Sequence, residues 1–345
     1  MRRHLTLLAM VLALCAIVRP GGVGSAAGPV RIKLATLAPE NSSYHLLLKE
    51  MGEKWQKASG GQVELRVFAG GKAGSEAESV QRMNIGEMQA GMLTVGGLSS
   101  IDGSIGALQL IPMLFKSFDE VEYVREKMRP EMEKKLLAKG YVSLFWGDSG
   151  WVRFFSRTAA VRPDDFKSLK IFVTASGSTT ETQIMQALGY KPVALNWTDV
   201  LIQLQTRGID AVPVIPVLAL SGQYFTVTKH MVEVNWVPIV GATVMKKDIW
   251  DAIPQATRAA MMQAATETGK KIQEAGRKEN DTAVQAMRTL GLEVHPVTPQ
   301  GDDEWRKFAE AIYPKLRGSM VPADVFDRAL QLVAEYRASR PDVKR

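Results

Sequence analysis

The strongest constraint on the fold is a stretch of 36 residues, 255–290, that lies between Pro254 and Pro296 and contains no proline. It is rich in Ala, Met, Gln, Glu and Lys, all good helix formers. At 1.5 Å per residue a continuous helix of this length spans roughly 54 Å. That exceeds the width of one small domain, so such a helix must bridge two lobes. Gly269 and Gly276 are the positions inside it where a kink would fall. A chain of 345 residues with 46% apolar content has core enough for two domains.

Upstream, strand and helix patterns exchange. Alternating apolar and polar residues predict strands over 30–36 and 63–68. Between them the spacing of Leu47, Met51 and Trp55 predicts a helix over 44–58, capped by Asn41, Ser42 or Ser43 and stopped by Gly60 and Gly61. Helices are predicted over 77–85 and 118–138, and strands over 90–95 and 142–145. A second alternating block follows from 170 to about 234, with a strand over 170–173 and helices over 178–188 and 198–206. Such alternation indicates α/β architecture with mainly parallel sheets. There is no internal repeat and no flexible linker, so the chain is expected to cross between its lobes more than once.

The N-terminus reads as a secretory signal. Arg2 and Arg3 precede an apolar run from Leu5 to Val18, and small residues follow to Ala27. The run is too short to span a bilayer, and no later segment is long enough. The one cysteine, Cys15, lies inside this leader behind Leu14, where lipidation would want a small residue. The mature chain therefore has no disulfide and no thiol nucleophile. Of the net charge of +7, Arg2, Arg3 and Arg19 belong to the leader. The remainder is spread along the chain, and no nucleic-acid partner is expected.

Catalytic and metal motifs are missing from the pattern. His45, His230 and His295 show no ligand spacing. Asp102-Gly103-Ser104-Ile105-Gly106 has Asp where a nucleophile elbow needs Gly. Gly70-Gly71-Lys72-Ala73 lacks the Ser or Thr of a phosphate loop. Asp164-Asp165 and Asp302-Asp303 suit helix caps on solvated surface. No nucleophile, base and orienter assemble, so neither enzyme activity nor a cofactor or metal is expected; a secreted α/β enzyme is the remote alternative.

Several segments resemble the substrate-binding proteins of TRAP transporters, the DctP-type family. Arg162-Pro163-Asp164-Asp165-Phe166-Lys167-Ser168-Leu169-Lys170-Ile171 is similar to the family's P-x-D-L-K-G-L-K-I/L-R segment. Ala187-Leu188-Gly189-Tyr190-Lys191-Pro192-Val193, Leu204-Gln205-Thr206 and Ile209-Asp210 follow in the family's order. So do Leu34-Ala35-Thr36, the Phe68 to Gly74 turn, and Ile111-Pro112-Met113-Leu114-Phe115. The resemblance implies two α/β lobes that close over a small solute outside the cytoplasmic membrane, in the periplasm. It also implies delivery to TRAP membrane permease subunits. With it, the lobes are expected at 28–147 plus 233–268 and at 148–232 plus 269–345, after a leader of 1–27.

Against that pattern the departures are informative. Phe172 stands where most of the family keeps an arginine that takes a ligand carboxylate in two parallel hydrogen bonds. Pro213 and Val214 occupy the region after Asp210 where an Asn or Glu is usual, and a third polar position falls at Val95-Gly96-Gly97. A carboxylate buried without a partner loses several kcal/mol of hydration. A larger, apolar or aromatic ligand is therefore expected, with Phe172, Trp146, Trp151 and Trp236 as walls and Asp148, Tyr44 and Thr94 as orienting polar groups. Arg153, one residue from the place of a second family arginine, would instead rescue an organic acid if it pointed inward. Trp55, Trp197, Trp250 and Trp305 read as structural.

Overall fold

A computed structural model describes residues 28–174 and 179–340. The expected leader, Cys15 within it, and the start of the helix at Ser178 lie outside the described residues.

Eleven strands are described, and they form two sheets. β1 (Val30–Thr36), β2 (Val63–Phe68), β3 (Ala90–Thr94), β4 (Tyr141–Trp151) and β10 (Pro238–Lys246) make a five-stranded sheet in the order β2-β1-β3-β10-β4. β5 (Arg153–Ser156), β6 (Lys170–Thr174), β7 (Lys191–Leu195), β8 (Ala211–Val214), β9 (His230–Val232) and β11 (Glu293–His295) make a six-stranded one in the order β11-β9-β5-β8-β6-β7. This is the two-lobed α/β architecture expected, but both sheets are mixed rather than mainly parallel. β10 runs antiparallel to β3 and β4, and β5 runs antiparallel to β8 and β9. The reason is connectivity: β4 leaves the first sheet where β10 re-enters beside it, and β5 enters the second where β9 leaves beside it, so each pair runs in opposite directions.

The crossings themselves are short. β4 ends at Trp151 and β5 starts at Arg153, so Val152 alone separates the two sheets. Residues 233–237 bring the chain back from β9 to β10. The two segments pair: the Val152 amide donates to Val237 O at 2.9 Å, and the Trp236 amide donates to Val152 O at 3.2 Å.

The third connection is the helix Gln255–Thr289, which is continuous over 35 residues. It packs on the first helix, Ser43–Ala58, on β4, and on the short helix Pro216–Ser221 of the second lobe. Its two glycines mark close approaches to its neighbours, in a helix that is not interrupted at either. A Cβ on Gly269 would lie 2.8 Å from Phe145 side-chain atoms, and one on Gly276 would lie 2.4 Å from the Tyr44 hydroxyl and 3.2 Å from Ser149 Cα. Helix propensity alone would favour Gly269→Ala by about 1 kcal/mol. Overpacking costs about 1–3 kcal/mol, so we expect this variant to unfold at lower urea concentration than the parent. A higher midpoint would show that helix and strand are not packed this closely.

Residues 269–345 do not all stay with the second sheet, as the sequence suggested. Trp305, fully buried, donates from its indole to Val161 O at 2.9 Å and anchors the helix Pro299–Glu310 there. The last helix, Ala323–Ser339, instead lies along Phe118–Ala138 in the first lobe. Arg337 grips the buried Glu120 there through Nε and Nη2, at 2.8 and 2.9 Å.

Candidate functional site

The crossing strand β4 meets the long helix through two polar nodes. Asp148 is 1% exposed, and its carboxylate accepts from Arg277 Nε and Nη2 at 2.8 Å each, from Gln273 Nε2 at 2.9 Å and from Arg125 Nη1 at 3.2 Å. Gln273 and Arg277 are four residues apart and so project from one helix face. One turn on, Asn280 donates to Ser149 O at 2.5 Å and to Gly276 O at 2.7 Å, while its Oδ1 accepts from the Val217 amide at 3.1 Å. Gly150 makes room for it: its φ is +138°, and a Cβ there would sit 2.3 Å from Asn280 Nδ2. Helix residues 273–280 thus clamp strand residues 148–150.

Tyr44 belongs to the same clamp. Its hydroxyl reaches Ser149 O at 3.5 Å, burial holds its pKa well above the usual phenol value, and neighbouring Ser43 donates to Glu279 at 2.9 Å. Thr94 caps the turn Val95–Ser99 and donates to Glu76 Oε2 at 2.6 Å; the amides of Thr94 and Gly97 also donate to Glu76, at 2.6 and 3.1 Å. Burial raises the Glu76 pKa against those hydrogen bonds. The three residues expected to orient a ligand, Asp148, Tyr44 and Thr94, are all held by the protein's own groups here.

In the second sheet the strand period sorts side chains onto two faces. Arg153 lies opposite Val214 and Phe155 opposite Val212. Phe155, Phe172, Val212 and Val214 fall in one cluster with Ala283 and Met287 of the long helix. Pro213, cross-strand from Phe154, belongs to the opposite face. The Phe172 ring is 3% exposed and packs edge-on against Trp197, with centroids 4.8 Å apart. In this structure the ring expected as a chamber wall is core. Trp236 stacks edge-on with Phe154 and Trp305, Trp151 lies 5.0 Å from Phe118, and Trp146 keeps a buried indole N–H with no acceptor.

Arg153 stands apart. Its Nη1 is buried with no hydrogen-bond partner, and among the described residues it makes no ion pair. Burial lowers its pKa, opposed by the fields of Glu233 and Asp281. It is the first residue of the second sheet after the crossing. Asn235, on the return crossing, likewise has a buried Oδ1 without a donor. The sequence assigns Asn235 no role; a lone amide between Val234 and Trp236 is the signal available there.

Two lobes, two paired crossing strands and a lobe-spanning helix define a two-lobed solute-binding protein. The model of the DctP family, bacterial extracellular solute-binding protein family 7, matches residues 34–318, and the chain belongs to this family. It is 24% identical over 299 residues to the C4-dicarboxylate-binding periplasmic protein DctP of Rhodobacter capsulatus, covering 85% of this chain and 88% of that one. Among solved structures, a TRAP periplasmic solute-binding protein of Shewanella oneidensis with bound succinate superposes with TM-score 0.81 at 20% identity, over 89% of this chain and all of the other. The sugar acid binding protein of Advenella mimigardefordensis with galactonate gives 0.82 at 17%, over 89% and 99%. No helix among the described residues is long and apolar enough to cross a membrane.

Proposed function

We propose that this protein is the periplasmic receptor of a TRAP-type transporter, that it binds a small organic acid with one carboxylate, and that Arg153 takes that carboxylate. The observation that carries the reading is the buried, unpartnered Nη1 of Arg153 at the junction of the lobes. Arg153 is partly buried, and a buried donor left without an acceptor costs about 1–3 kcal/mol, more when charged; an anionic ligand offsets it through charge-assisted hydrogen bonds. The named ligands of the similar proteins, succinate and galactonate, are acids. A second carboxylate would lack Arg125 as a counterpart, because this buried arginine is already held by Asp148 and Glu126.

Closure would bend the chain at Val152 and 233–237, since the clamp holds β4 and the long helix as one piece. The closed form is then delivered to the membrane permease, with no chemical step on the ligand. The competing reading, a wholly apolar ligand, draws on Phe172, Pro213 and Val214 standing at usual polar positions.

Thermal unfolding of the mature chain with monocarboxylates, sugar acids, dicarboxylates and uncharged aromatic compounds separates these. A ligand at a hundredfold excess over its Kd adds about 2.7 kcal/mol, a rise of several degrees in Tm. We expect monocarboxylic acids to give it. A shift with uncharged compounds alone would overturn the acid reading.

A further inference from the structure

Two histidines that the sequence keeps 65 residues apart meet at the edge of the second sheet. β9 and β11 pair in parallel with His230 opposite Glu293 and Val232 opposite His295. Glu293 and His295 are two residues apart on one strand and so share a face; His230, in register with Glu293, is on that face too. The neighbours Met231 and Val294 point the other way, into the cluster under the long helix.

The donor atoms converge. His230 Nδ1 lies 3.1 Å from His295 Nε2 and 3.4 Å from Glu293 Oε2, and all three ligand atoms fall within 4.8 Å of one another. One ring nitrogen therefore faces two groups that each offer a lone pair, where a single N–H could serve one of them well. A cation at their centre satisfies all three. The spacing fits: metal–ligand bonds of 2.0–2.1 Å at the tetrahedral angle set neighbouring donors about 3.3–3.4 Å apart. Glu293 is 67% exposed in its side chain, so its rotamer is free to close the longest of the three distances. Two imidazoles and one carboxylate are the donor set of zinc and its transition-metal neighbours rather than of calcium or magnesium, which want oxygen.

We propose that His230, Glu293 and His295 form a binding site for one divalent transition-metal ion, with a fourth position open to water. β11 is a three-residue edge strand that follows the long helix, and β9 leads directly into the return crossing. The Glu233 amide already donates to His295 O at 2.9 Å. A bound ion would clip the end of the long helix to the strand entering the crossing, beside the bend of the lobes and apart from Arg153.

The test is calorimetric titration of the full mature chain, made without a histidine tag, with Zn2+ and separately with Ca2+. We expect one Zn2+ per chain, a higher Tm with the metal, and no comparable response to Ca2+. His230→Ala and His295→Ala should each weaken zinc binding at least tenfold, while His45→Ala should leave it unchanged. Circular dichroism of each variant shows that it is folded, and the visible absorption of bound Co2+ reads the ligand set independently. Absence of zinc binding by the folded parent, or zinc binding that survives the double histidine substitution, would overturn the proposal.

Discussion

Arg153→Met is expected to abolish ligand-induced stabilisation while raising the melting temperature of the ligand-free protein. The two effects share one cause. A guanidinium whose Nη1 is buried without a partner is a cost in the empty receptor, and replacing buried charge by an apolar side chain of similar volume is worth up to about 1–4 kcal/mol. In the complex proposed above, the same group becomes the counter-ion of a desolvated carboxylate. Truncating one member of such a pair costs about 2–5 kcal/mol, or roughly 30-fold to several thousandfold in Kd. Arg153→Lys should recover little, because an ammonium cannot reproduce the planar two-pronged contact. Thermal unfolding with and without ligand reads both effects at once. An arginine serving only the fold would behave oppositely: Arg153→Met would then lower Tm and leave the ligand shift intact.

The second large effect is expected at Asp148, whose buried carboxylate accepts from Arg125, Gln273 and Arg277. Asp148→Ala removes the one buried anion shared by Arg125, 4% exposed in its side chain, and Arg277, leaving each only a more exposed partner, Glu126 and Glu122 respectively. Breaking a buried ion pair from one side costs about 3–5 kcal/mol, a large share of the 5–15 kcal/mol that holds a typical domain together. Urea unfolding should show this loss. Arg277→Ala combined with Asp148→Ala should cost less than the two single losses added, because the partners share one network. A loss below about 1 kcal/mol in Asp148→Ala would mean that the Asp148 node adds little to the apolar contacts and the Asn280 hydrogen bond that also join strand and helix.

Much of the fold was readable because its signals are local. β1 and β2 alternate cleanly, and the structure places them at 30–36 and 63–68 as the period predicts. The long helix was readable from its lack of proline, and it runs over 255–289. β4 was read too short, as 142–145 rather than Tyr141–Trp151, because Gly147 and Gly150 break the pattern where the strand crosses between sheets. β5, β8 and β9 are three or four residues long and give no period to read. The candidate site was legible in part. That Phe172 replaces an arginine is visible in the letters; that its ring lies against Trp197 is not.

By itself the sequence determined the α/β class, the bridging helix and the family, since periodicity, helix propensity and ordered motifs are properties of neighbouring residues. Only the tertiary structure decided which polar groups are spent and which are free. Asp148, Tyr44 and Thr94 find partners between 18 and 129 residues away, and Arg153 Nη1 finds none among the described residues. His230 meets His295 only because β11 docks beside β9. Hydrogen bonds and charges act through space over a few ångströms, so their satisfaction is set by packing and not by position along the chain.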